Sequence, residues 1–111
     1  MTNILIVEDD PMVQFIHRNY LEKLGTFETI YSSETIAEAK KLLATRSIQL
    51  ILLDIRLKDG NGIDFLTELR RTKQMVDVIL ITAANEVEIV NDALHLGVID
   101  YLIKPFTMER F

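Results

Sequence analysis

Ile4-Leu5-Ile6-Val7-Glu8-Asp9-Asp10-Pro11 is the stretch on which the fold turns. Its four branched apolar residues read as a buried strand, two acids close the strand, and Asp10-Pro11 supplies an N-cap followed by proline at the first helical position. The same arrangement returns three times. Ile51-Leu52-Leu53 ends in Asp54, Val78-Ile79-Leu80-Ile81 in Thr82, and Leu102-Ile103 in Lys104. As parallel strands of one sheet, these runs would bring their carboxyl ends to one edge, where open α/β sheets bind ligands. A pair of acids, a lone Asp, a hydroxyl and a lysine would then converge on one pocket.

Between the strands the pattern switches to helical spacing. After Asp10-Pro11 a helix is expected to about Leu24, carrying Phe15, Ile16, Leu21 and Leu24, with Gly25 as its stop. Phe27 to Tyr31 reads as a second strand, and Ser33 or Ser32 as the cap of a helix bearing Ile36, Ala39, Leu42 and Leu43. Gln49 to Asp54 is the third strand. The turn-formers Lys58-Asp59-Gly60-Asn61-Gly62 precede a helix with Ile63, Phe65, Leu66 and Leu69. Val76 to Thr82 is the fourth strand, Glu86 to Leu96 a fourth helix with Val90, Ala93 and Leu94 inward, and Ile99 to Ile103 the fifth strand. Strands alternating with helices of this length predict right-handed βαβ units and a parallel sheet covered on both faces. Five such units predict a flavodoxin-like, doubly wound α/β domain with strand order 2-1-3-4-5. Thr107 to Phe111 offers little more than one turn of a fifth helix, so the chain is expected to be truncated.

One domain is all that 111 residues support. Lys plus Arg total 12 against 17 Asp plus Glu, for a formal charge of −5. Such a chain repels nucleic acid and anionic lipid, so DNA binding by this segment itself is not expected. Cysteine is absent, which removes disulfides, thiolate metal sites and cysteine nucleophiles and suits a cytoplasmic location. No apolar run approaches the roughly 18 residues of a membrane span, and the start lacks the basic-then-apolar pattern of a signal peptide, so none is expected.

Asp54 is the candidate nucleophile, because a carboxylate can attack phosphorus and hold the phosphoryl group as an acyl phosphate. The plain alternative is a strand-end Asp that caps a turn. Glu8-Asp9 weighs against it: adjacent acids after a buried strand repel each other and gain most from a hard cation, and Mg²⁺ suits two or three carboxylates plus a backbone carbonyl. Lys104 would neutralise charge on a phosphoryl oxygen, and Thr82 could donate its hydroxyl to another. A cis Lys104–Pro105 bond would fix the direction of the lysine. No Gly-rich phosphate loop is present, and His17 and His95 lack partners at metal-ligand spacing.

These residues resemble the receiver domains of two-component response regulators. The resemblance rests on Ile4-Leu5-Ile6-Val7-Glu8-Asp9-Asp10, Leu52-Leu53-Asp54-Ile55-Arg56-Leu57 with Gly60 and Gly62, Thr82-Ala83, and Asp100-Tyr101-Leu102-Ile103-Lys104-Pro105-Phe106. It covers the whole chain. His17-Arg18-Asn19-Tyr20, Leu52-Leu53-Asp54-Ile55 and Leu94 through Phe106 are similar to regulators of citrate and four-carbon dicarboxylate metabolism. The resemblance implies phosphoryl transfer from a sensor histidine kinase to Asp54, with Mg²⁺ held by Glu8, Asp9, Asp54 and the backbone carbonyl of Arg56. It implies that Thr82 and Lys104 contact the phosphoryl group. It also implies that Thr82 and Tyr101 switch the surface of helix four, strand five and helix five.

By the same resemblance a C-terminal DNA-binding output domain would follow residue 111, the product being a transcription regulator. Arg56 stands where family side chains tune the lifetime of the acyl phosphate, and its bulk is expected to shield that bond from water. Ile89 and Leu96 either pack against helix five or form a homodimer surface after phosphorylation. Three rivals remain: a binding module of the same fold that never takes phosphate, an aspartyl-phosphate phosphatase, which would want an acid where Arg56 stands, and a flavin carrier, whose phosphate Glu8-Asp9-Asp10 would repel.

Overall fold

The computed structural model describes residues 2–105. Five strands form one parallel sheet: β1 (Thr2–Val7), β2 (Phe27–Ser33), β3 (Leu50–Asp54), β4 (Asp77–Thr82) and β5 (Val98–Ile103). Their order is β2-β1-β3-β4-β5, the doubly wound, flavodoxin-like arrangement. The helices are α1 (Pro11–Leu24), α2 (Ile36–Thr45), α3 (Gly62–Arg71) and α4 (Val87–Ala93). The expected fifth helix at Thr107 to Phe111 lies outside the described residues.

Side chains alternate across a strand, so the sheet sorts its core into two layers. On one face Leu5, Val7, Ile51, Leu53, Val78 and Leu80 pack with Ala39 of α2, Phe65, Leu66 and Leu69 of α3, and Val90 of α4. On the other Ile4, Ile6, Leu52, Ile81 and Leu102 pack with Leu21 of α1. This sorting also dictates what each strand end presents. By parity, Glu8, Asp54 and Lys104 continue the α1 face, whereas Thr82 and Tyr101 belong to the face of α2, α3 and α4.

Helix ends follow their local chemistry. Asp10 caps α1 by accepting from Met12 and Val13, and Gly25 ends it with φ at 67°. The expected cap at Ser33 or Ser32 is not found. Both serines pair in register with Val7 and Ile6, which carries β2 to Ser33. Thr35 caps α2 instead, its hydroxyl accepting from the Glu38 amide and donating to the Glu38 carboxylate. The Lys58-to-Gly62 turn is present as a two-residue antiparallel ladder, Arg56–Leu57 against Gly60–Asn61.

The fourth helix is shorter than its apolar spacing suggests. 3₁₀ turns flank it at Ala84–Glu86 and Leu94–Leu96, before Gly97 at φ 81°. A 3₁₀ turn advances 120° per residue instead of 100°, which rotates Leu94 off the inward stripe. Leu94 is 44% exposed, while Val90 and Ala93 are buried as expected. On α1 only Leu21 of the four apolar residues is buried; Phe15, Ile16 and Leu24 face outward. Leu96 packs against the α3–α4 core and Ile89 is exposed.

Candidate functional site

Register assembles the site one residue at a time. Val7 pairs with Leu53, so Glu8 and Asp54 emerge side by side beyond them. Asp54 pairs with Ile81, and Thr82 with Ile103, which steps Thr82 and then Lys104 along the same edge. The Glu8 amide donates to Ser33 O at 3.0 Å, and the Lys104 amide to Thr82 O at 2.8 Å, so the strand ends are tied where the side chains diverge.

Lys104 Nζ donates to Asp54 Oδ2 at 2.5 Å and to Glu8 Oε1 at 2.9 Å. Asp54 Oδ1 accepts the Arg56 amide at 3.1 Å, and Glu8 Oε2 accepts the Asp10 amide at 3.1 Å. Both acids are buried. Burial, and then the Asp54 carboxylate beside it, push Glu8 up to about 7. Burial by itself would lower Lys104, but its hydrogen bonds to Asp54 and Glu8 outweigh that, and the net shift is upward.

Glu8, Asp9 and Asp54 each offer an oxygen within 4.8 Å of the other two. Three carboxylates there face one ammonium. That imbalance, and the upward push on Glu8, fit a divalent cation held by hard oxygen ligands. Mg²⁺ suits the set, with no thiolate or imidazole among the three. The Lys104–Pro105 bond is cis.

Thr82 stands on the opposite face of the strand, as parity requires. Its Oγ1 donates to the Ala83 carbonyl at 3.1 Å and not to Asp54. Tyr101 is half-buried against the α2–α4 core. The Arg56 side chain donates from Nε to Glu86 Oε2 at 2.5 Å. Glu86 carried no local signal in the sequence, because its partner lies 30 residues away. Gly62 was likewise legible only as a turn residue, yet it packs against Asp54: its amide donates to Ile55 O at 2.7 Å, and a Cβ on it would meet the Asp54 carbonyl.

His17 is 5% exposed on α1, on the face shared with Lys104 and Asp54. Burial, and then the Lys104 charge, lower it from 6.5 to about 4. The fold therefore holds it neutral, while the unfolded chain takes a proton near pH 6.5. Stability attributable to His17 is complete above pH 6.5 and lost as pH falls toward 4, by about 3 kcal/mol across that window. Urea unfolding of the parent and His17→Gln between pH 7 and 4 should give a steeper acid-side loss in the parent. Parallel profiles would refute this assignment.

Residues 4–111 match the family model of the response regulator receiver domain. The chain is 45% identical over 111 residues to the transcriptional regulatory protein MalR of Bacillus subtilis, covering all of this chain and 47% of MalR. It is 40% identical over 113 residues to the transcriptional regulatory protein DcuR of Escherichia coli K12, again covering all of this chain and 47% of the relative. The chain thus spans about half the length of these relatives. Among solved structures, the MaeR response regulator bound to beryllium trifluoride is 92% identical at a TM-score of 0.76, covering 100% of this chain and 91% of that one.

Proposed function

This chain belongs to the response regulator receiver domain family, a signalling module of two-component systems, and from that membership we propose that Asp54 is its phosphoacceptor. The observation that carries the reading is the Lys104 ammonium bridging Asp54 and Glu8 inside a cluster of three carboxylates. The MaeR structure supports it, since that protein, 92% identical to this one, was solved with beryllium trifluoride bound. In the proposed step an Asp54 oxygen attacks phosphorus. The bond from phosphorus to the donor atom breaks, its electron pair leaves with the donor, and Asp54 becomes an acyl phosphate. With a phosphohistidine donor the leaving atom is an imidazole nitrogen, which fits the sensor kinase partner that two-component membership implies.

Glu8, Asp9, Asp54 and the Arg56 carbonyl would hold Mg²⁺, which when bound neutralises a phosphoryl oxygen. Lys104 supplies the second positive charge by turning from Asp54 Oδ2 to the new phosphoryl group. Thr82 supplies a hydroxyl once it releases the Ala83 carbonyl. Thr82 and Tyr101 share a sheet face, so movement of the first changes the space open to the second. Two packings of that face are thereby biased by the phosphoryl group.

By likeness to the transcriptional regulatory proteins MalR and DcuR, the readout is transcription, exerted in this proposal by a DNA-binding segment C-terminal to this domain; a 41% identical relative described as a probable C4-dicarboxylate response regulator supports four-carbon dicarboxylates as the metabolic context. The charge of −5 supports leaving DNA contact to another segment. Exposed Ile89 is available to a homodimer formed on phosphorylation. Among the described residues no helix is long and apolar enough to cross a membrane, and a cytoplasmic setting suits the proposed readout.

Incubation with acetyl phosphate and Mg²⁺ should add about 80 Da by intact mass. The adduct should map to the peptide holding Asp54 and should fail to form when EDTA is present from the start. A folded protein that takes no adduct would favour a phosphate-independent binding module.

A further inference from the structure

The Arg56–Glu86 pair joins the two loops that the phosphoryl chemistry must move. Arg56 follows Asp54 closely enough for its own amide to touch the acceptor carboxylate. Glu86 closes the 3₁₀ turn Ala84–Glu86, which links Thr82 to α4. The two partners differ sharply in setting. The Arg56 side chain is 74% exposed, whereas that of Glu86 is 9% exposed. An ion pair open to water on the cation's side is screened and weakly held, so Arg56 can leave it readily. Glu86 cannot be left so easily: a buried carboxylate without its partner carries a large desolvation penalty and must reach water.

The far end of α4 is pinned more firmly. Arg70 Nε donates to Leu96 O at 2.6 Å, and its terminal nitrogens donate to Gln74 O at 2.7 Å and Gly97 O at 3.3 Å. These bonds tie the turn that follows α4, and the Arg56–Glu86 pair ties the turn that precedes it.

Resting on the reading of Asp54 as phosphoacceptor, we propose that Glu86 is a positioning residue for that reaction: it holds Arg56 away from the acceptor in the unmodified domain. The acyl phosphate competes for Arg56. A phosphoryl group brings close to two negative charges beside the residue from which Arg56 springs. When the guanidinium exchanges Glu86 for a phosphoryl oxygen, Glu86 turns out to solvent and frees the segment between Thr82 and α4. Modification at Asp54 is thus coupled to the start of α4 by exchange of one cation between two anions.

The experiment is a steady-state titration with acetyl phosphate at fixed Mg²⁺, read as modified fraction by intact mass. It is run on the parent, Glu86→Gln, Arg56→Gln and the double variant, with hydrogen exchange of residues 83–90 followed in parallel. Glu86→Gln keeps the side-chain shape and removes the competing charge. It should reach half modification at about fivefold lower acetyl phosphate, and residues 83–90 should exchange faster before any phosphate is added. Arg56→Gln should need more acetyl phosphate than the parent. In that background the added Glu86→Gln change should have no effect, because Glu86 acts only through Arg56. A gain from Glu86→Gln that persists without Arg56, or no gain at all on a parent that does take the adduct, overturns the proposal. A parent that takes no adduct removes the phosphoacceptor reading and this proposal with it.

Discussion

Asp54→Asn should take up no phosphoryl group from acetyl phosphate under conditions that modify the parent completely. The amide nitrogen cannot serve as the nucleophile, and the remaining oxygen carries too little charge to do so. The substitution is nearly isosteric, so loss of modification should not reflect loss of fold. It also separates acceptor from architecture. Lys104 keeps its bond to Glu8, the Arg56 amide keeps an oxygen acceptor at position 54, and the repulsion between two buried acids disappears. The Asp54 carboxylate is one of the causes raising Glu8, so Glu8 should titrate lower in the variant. Two measurements check this: intact mass with acetyl phosphate, and the Glu8 side-chain carboxyl resonance followed against pH. Modification of Asp54→Asn to the parent's extent would place the acceptor elsewhere.

Gly62→Ala should be the most damaging alanine substitution among the four glycines. A Cβ at position 62 would lie 2.3 Å from the Asp54 carbonyl oxygen and 3.0 Å from the Ile55 Cα. Both neighbours are backbone at the end of a central strand and cannot rotate away. Either α3 shifts or the end of β3 does, at about 3 kcal/mol for overpacking of this kind. Because the displaced atom belongs to Asp54 itself, phosphorylation should slow together with the loss of stability. Gly25→Ala is the control. Its φ of 67° is unfavourable for a side chain, but a Cβ there meets nothing within 4 Å. Its cost should stay near 1 kcal/mol, the left-handed backbone penalty alone, with phosphorylation unchanged. Urea unfolding and the acetyl phosphate time course of both variants decide the matter. Equal stability losses would show that the close approach at Gly62 is relaxed by neighbouring motion.

How far the chain could be read before its structure differs by the range of the forces involved. The strands, the N-cap at Asp10 and the stop at Gly25 depend on neighbours a few residues away, and they were legible. Thr35 as the cap of α2 was not. Ser32 and Ser33 carry an equally good local signal, which pairing with β1 overrides. Apolar spacing places Leu94 on the inward stripe of an unbroken helix, whereas the turn tightens to 3₁₀ after Ala93.

The sequence by itself determined the chemical inventory: which strands end in acid, hydroxyl and lysine, and that parallel strands would gather those ends along one edge. Strand periodicity and strand termination are local properties, and the βαβ alternation leaves few topologies. Only the tertiary structure decided the partnerships. Lys104 reaches Glu8 across 96 residues, the Thr82 hydroxyl turns to the Ala83 carbonyl, Arg56 turns to Glu86, and Gly62 lies against the Asp54 backbone. Each depends on register and face. Moving a strand by one residue would carry every side chain to the other side of the sheet while leaving its local sequence unchanged.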